Sequence, residues 1–134
     1  MTALDTNVPI YSCDKGDPRR HAVALEIIST SGDAVLLWQA ACQFVAASRK
    51  LSTQGFTATH AWDRLAEFLD LFPLVLPTPG VFHRARLLHT ERVWSFWDAM
   101  IVAACLEAGV GRLYSEDVPG QALPGELEIV NPFA

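Results

Sequence analysis

The sequence predicts an α/β fold in three layers, with helices on both faces of a central parallel sheet of four to five short strands. Three observations carry this expectation. Strand-like runs alternate with helix-like segments along the whole chain, the pattern of parallel strands joined by crossover helices. The length of 134 residues suits one domain with one sizeable core, spanning residues 1–134. Hydrophobic residues make up 51% and charged residues 19%, a balance that argues against disorder.

Each element has its own signal. Thr2–Thr6 reads as a short strand ending in polar residues. Arg19–Thr30 follows as a helix, with Ala22, Leu25, Ile28 and Ser29 on one face. Gly32–Trp38 is a strand after a Gly-Asp turn. Gln39–Leu51 is helical, and Arg49 and Lys50 suit its C-terminus. Ala58–Phe72 is amphipathic, with Trp62, Leu65, Ala66, Leu69 and Phe72 at helical spacing. Pro73–Thr78 is a short strand, and Pro79 opens a helix that runs to Val93. Trp97–Gly109 is a helix closed by Gly109, a natural left-handed cap. Gly111–Ser115 and Leu127–Asn131 are the last strands.

Composition narrows the function classes. No apolar run reaches the roughly 18 residues of a membrane span. The N-terminus has no basic head, and Asp5 interrupts it, so a secretory signal is not expected. Cys13, Cys42 and Cys105 are odd in number and lack CxxC spacing, which points to unpaired thiols in a reduced, cytoplasmic setting. The net charge of −5 is uneven. Residues 1–92 hold nine acids and nine bases, whereas residues 93–134 hold six acids and one base, Arg112. Either the last third has a solvated acidic surface, or some of its acids converge on a cation. Bulk acidity argues against broad non-specific nucleic-acid binding.

Chemistry in a parallel α/β sheet collects at the carboxyl ends of the strands. Asp5 ends the first strand, and Glu116 and Asp117 follow the strand around Leu113. Asp98 heads the apolar run Ala99–Leu106, with no Lys or Arg within five residues on either side. Taken singly, Asp98 suits a helix cap, Asp5 a turn cap and Asp117 a turn. Together, carboxylates without cationic partners repel one another. A hard divalent cation removes that cost. Other motifs are missing: there is no GxGxxG or GxxxxGKS loop and no GxSxG elbow. His21, His60, His83 and His89 show no HxxxH spacing. Arg84, Arg86 and Arg92 lie near one helix, either as surface charge or as a grip on phosphates.

The runs "LDTNV", "FWDAMIVAACLEAG", "RLYSEDVPG" and "IVNPF", in this order, resemble a PIN domain, and specifically the VapC toxins of bacterial toxin–antitoxin pairs. The resemblance covers essentially the whole chain. It implies a PIN-like fold and a metal-dependent endoribonuclease that uses Mg²⁺ or Mn²⁺ and leaves a 5′-phosphate and a 3′-hydroxyl. It implies an RNA substrate, a VapB-like antitoxin covering the site and an apolar groove, and a homodimer. It also assigns roles. Asp5 matches the first metal-binding acid, Asp98 the third and Asp117 the fourth. Ser115 matches the hydroxyl residue supporting the fourth acid, and Asn7 a polar residue beside the first. The second acid is normally a Glu early in the third helix, and Gln43 stands in its place. A Gln offers an oxygen without a charge, so the resemblance implies a weaker metal site here. Two other readings stay open: Gln43 lies on the wet side of its helix, or the chain is a PIN-fold binding module disarmed at this position. Glu116 is a candidate for the missing charge. A phosphoacceptor receiver domain, which also clusters aspartates, needs a Lys after a late strand, and the only lysines are Lys15 and Lys50.

Overall fold

Among the described residues, five short strands lie side by side: β1 (Thr2–Leu4), β2 (Ala34–Leu37), β3 (Leu74–Val75), β4 (Arg112–Tyr114) and β5 (Glu128–Val130). Their order is β3-β2-β1-β4-β5, and every neighbouring pair is parallel. These details come from a computed structural model that describes residues 1–118 and 126–134. Pro119 and Gly120, the end of the run RLYSEDVPG, lie outside the described residues. Among the described residues, six α-helices complete an α/β/α architecture: α1 (Asn7–Cys13), α2 (Pro18–Thr30), α3 (Trp38–Ala47), α4 (Ala58–Leu71), α5 (Pro79–Glu91) and α6 (Phe96–Ala108).

Apolar content drives this arrangement. All four residues of β2 and all three of β1 are buried, as strands covered on both faces must be. α6 buries Ala99, Ile101, Val102, Ala103 and Cys105, so no residue of its middle turns is fully exposed. Leu4, Leu36, Leu37, Phe44, Ile101 and Leu113 fill the centre. Gly109 closes α6 at φ +73°, a conformation that disfavours side chains, and its N–H bonds back to Cys105 and Leu106.

Several boundaries and faces differ from the sequence expectations. No helix is expected from the sequence over Asn7–Cys13, where α1 lies. Pro9 lies in the helix's first turn, where its missing N–H costs nothing. α3 ends at Ala47, and a 3-10 segment, Ser48–Gln54, follows and stops at Gly55. Arg49 and Lys50 therefore fall in that segment and do not close α3. On α4 the inward stripe is Ala61, Leu65, Phe68 and Phe72; Trp62 and Leu69 are exposed, at 61% and 43%. On α2 the buried residues are Ala24 and Ile27, and Leu25 is exposed. Both stripes are rotated from the expected face, because a helix with apolar residues on several sides does not declare which side is buried.

α5 and α6 form an antiparallel hairpin. Arg84 Nε donates to Glu107 Oε2 at 2.7 Å near the far end of α6, and a Cβ at Gly80 would collide with the same carboxylate. At the other end, the His89 ring meets Phe96 edge-on. Val93 lies in the short connection at φ +58°, a left-handed conformation that costs a β-branched residue about 1–2 kcal/mol. Arg84 is thus committed to an ion pair between helices rather than standing in a cluster with Arg86 and Arg92.

Candidate metal centre

The strand order reverses between β1 and β4: from β1 the chain builds outward through β2 and β3, then returns to place β4 on the opposite side. A crevice opens beyond the carboxyl ends of the strands at such a switch point. The register pairs Leu4 with Tyr114, so the next residues, Asp5 and Ser115, emerge side by side there.

Hydrogen bonds fix this pair. Asp5 N donates to Tyr114 O at 2.9 Å, continuing the sheet ladder by one residue. Ser115 Oγ donates to Asp5 Oδ2 at 2.6 Å and accepts from the N–H groups of Asp117 (3.2 Å) and Val118 (3.1 Å). Thr6 N donates to Asp5 Oδ1 at 2.7 Å. One serine therefore uses its donor and both lone pairs to join Asp5 to the backbone carrying Asp117.

Asp5 and Ser115 are buried, at 7% and 1% exposure, Asp98 is half-buried and Asp117 is exposed. Burial pushes the Asp5 carboxyl above its ordinary range; the bonds from Ser115 and Thr6 oppose that push, and the charges of Asp117 and Asp98 add to it. The Asp5 charge is also felt by the Cys105 thiol beneath it on α6, which is raised to about 12, mainly by burial.

Asp98 is not the cap of α6. Ser95 is the cap, accepting from Asp98 N at 3.2 Å, and Asp98 sits in the first turn, where its charge suits the helix dipole. Its carboxylate is not needed to start the helix.

Asn7, at the start of α1, donates through Nδ2 to Asp117 Oδ2 at 3.4 Å. Its Oδ1 is buried and has no hydrogen-bond partner among the described residues. Gln43 also reaches this region: its Oε1 accepts from Thr6 Oγ1 at 3.1 Å, one residue from Asp5. A position on the wet side of α3 does not describe it, since it is half-buried and bonded to the β1–α1 turn. Gln39, one turn earlier on α3, donates to Trp97 O at 3.0 Å, tying α3 to the N-terminus of α6.

Glu116 turns away from the crevice. Its oxygens accept from Tyr11 Oη at 2.7 Å and Arg20 Nε at 2.8 Å. Its charge is therefore engaged by Arg20 and is not free to join Asp5. Three of the four histidines have local duties: His60 completes the capping box of α4, and His21 and His89 each bond a backbone carbonyl.

Asp98 and Asp117 thus each stand near enough to Asp5 for their charges to act on it. Among the described residues, no three Asp, Glu, His or Cys side chains are closed around one point as a ready-made metal cage. The donor set nonetheless fits a hard cation. It is made of oxygens, it holds a buried carboxylate whose charged form is disfavoured as it stands, and it includes an orphaned amide oxygen at Asn7. Magnesium takes one or two protein carboxylates and keeps several waters, so a closed protein cage is not required.

Beside this crevice runs an apolar groove of about 460 Å³, lined among others by Trp38, Gln43, Leu76, Trp97 and Met100. Thr6, Tyr11 and Arg20 were not singled out in the sequence. Tyr11 follows Asn7 by one helical turn, a signal visible only once Asn7–Cys13 is recognised as a helix. Compared with known proteins, the chain matches no family model and is significantly similar to no curated protein.

Proposed function

We propose that this chain is a metal-dependent endoribonuclease of the VapC type, hydrolysing RNA phosphodiester bonds with Mg²⁺ or Mn²⁺. The observation that carries the reading is the buried Asp5 carboxylate at the strand switch point, bonded to Ser115 and facing the charges of Asp117 and Asp98. Asp5, Asp98 and Asp117 would hold the ion. When bound, it supplies a water of lowered pKa and offsets charge on the phosphoryl oxygens. Ser115 orients Asp5 and the segment bearing Asp117. Asn7 orients the Asp117 carboxylate, and Thr6 holds the Gln43 amide beside Asp5.

The proposal includes a VapB-like antitoxin and a homodimer as partners. The exposed Trp38, Leu76 and Trp97 along the groove support an apolar contact of that kind. It also includes a cytoplasmic location. Among the described residues, no helix is long and apolar enough to cross a membrane.

A second reading is favoured by one observation: Gln43 accepts a hydrogen bond at the site but brings no charge. The chain would then be a PIN-fold module that binds RNA or a partner with little or no cleavage.

The test is cleavage of single-stranded RNA by purified protein with Mg²⁺ or Mn²⁺, against a chelator control. Asp98→Asn is expected to abolish cleavage while leaving the circular dichroism spectrum intact, because Ser95 caps α6 in both proteins. Cleavage at the parent rate would remove Asp98 from the chemistry. RNA binding without cleavage by the parent would favour the second reading.

A further inference from the structure

Glu116 and Asp117 are adjacent, yet their side chains are held by different groups on one helix. Asn7 and Tyr11 are four residues apart and so share a face of α1. Asn7 bonds Asp117, and Tyr11 bonds Glu116. Arg20, on α2, closes the arrangement from the other side. Its Nε reaches Glu116 at 2.8 Å, and its Nη1 reaches Asp17, the cap of α2, at 3.0 Å. The Arg20 guanidinium lies over the Tyr11 ring, 5.5 Å from its centre, and that ring rests edge-on against Phe133 at 4.9 Å.

We propose that Tyr11 and Arg20 form a clamp that positions Asp117 for metal binding by gripping Glu116, the residue before it. The inference rests on the metal-site reading above. Residues 116–118 form a bend beyond β4, pinned where the Ser115 hydroxyl accepts from the Asp117 and Val118 amides. Gripping Glu116 from α1 and α2 fixes the other side of this bend, and so the backbone from which Asp117 reaches Asn7 and the crevice. The need is clear from exposure: Asp117 is the one acid of the three that packing does not hold, whereas Ser115 and Val118 on either side are buried. Ser115 fixes the backbone of this segment through two amides, and the clamp fixes its rotation. Tyr11 and Arg20 are positioning residues, because neither touches the crevice.

The test compares the parent with Tyr11→Phe, Arg20→Gln and the double variant. Tyr11→Phe removes one hydroxyl and keeps the ring on Phe133, so it should fold like the parent. Mn²⁺ affinity is measured by electron paramagnetic resonance, and exchange of the Asp117 amide is followed by NMR in metal-free protein. The clamp predicts at least five-fold weaker Mn²⁺ binding in the double variant and faster exchange at Asp117 in both single variants. Arg20→Lys, which restores charge without the two-point grip on Glu116 and Asp17, should recover only part of the affinity. A lower unfolding midpoint with unchanged Mn²⁺ affinity and unchanged exchange would mean a merely structural network and would overturn the clamp alone. A parent that binds no Mn²⁺ would overturn the clamp together with the metal-site reading.

Discussion

At Asp5, two hydrogen bonds favour the charged carboxylate, while burial and two neighbouring acids oppose it, and the opposition wins. A carboxyl whose folded pKa is raised stabilises the fold in its protonated form. That contribution is fully present below the ordinary carboxylate range and is lost as pH rises through the raised folded value. In chelator, the difference in stability between Asp5→Asn and the parent should therefore depend on pH with a defined sign. The variant should compare best at neutral pH, and the parent should gain on it as pH falls through the raised Asp5 value toward the ordinary carboxylate range. Thermal midpoints of both proteins, measured without metal between pH 7.5 and 4, check this. Parallel curves would mean that Asp5 carries no raised pKa. The sequence offered part of this picture: Asp5, Asp98, Asp117 and Ser115 were readable as chemistry-bearing residues from their places at strand and helix ends. The unpartnered Asn7 Oδ1 and the outward turn of Glu116 were not readable, since both depend on rotamers that only packing decides.

Among the elements, the strand and helix alternation was legible because it depends on period and punctuation. α1 was hidden, being short and carrying a proline in its first turn. The buried faces of α2 and α4 were misjudged for a related reason: Trp62, Leu69 and Leu25 are apolar but look outward. The α5–α6 hairpin also separates residues that the sequence grouped. Arg84 lies at the Glu107 end, and Arg92 caps α5 at the end that leads into Ser95 and Asp98. Only the second end adjoins the candidate metal centre. Arg92→Gln should weaken RNA binding and reduce the slope of log affinity against log salt by about one. Arg84→Gln should leave that slope unchanged and lower stability by at most about 1 kcal/mol, as expected for a partly exposed ion pair. A salt titration of RNA affinity for the two variants separates these outcomes. Equal slopes would remove Arg92 from phosphate contact.

Across the whole molecule, the candidate ligands come from the ends of β1 and β4 and from the start of α6, so an ion bound there would join three segments distant in sequence. Binding to the folded form alone stabilises it by mass action, about 2.7 kcal/mol at a hundred-fold excess over Kd. In a domain of this size that corresponds to a rise of several degrees in the unfolding midpoint. On the proposed metal-site reading, Gln43 would set how large the excess must be. Its amide oxygen already accepts from Thr6, and a Glu of the same shape would keep that bond while adding a charge one residue from Asp5. At an effective dielectric near 20, two unit charges about 4 Å apart interact by roughly 4 kcal/mol, a ceiling reduced by desolvation and water. Gln43→Glu should therefore act in opposite directions on the two forms. It should lower the midpoint of the metal-free protein, because another carboxylate joins Asp5, Asp98 and Asp117. It should also tighten divalent binding by about 1–3 kcal/mol, so that the midpoint rises at lower Mg²⁺ or Mn²⁺ than in the parent. If cleavage by the parent is limited by metal occupancy, the variant should reach full activity at lower Mg²⁺. Thermal unfolding of both proteins across the same metal titration measures both signs at once. Superimposable titration curves would show that the Gln43 side chain, although bonded to Thr6, lies outside the reach of the ion.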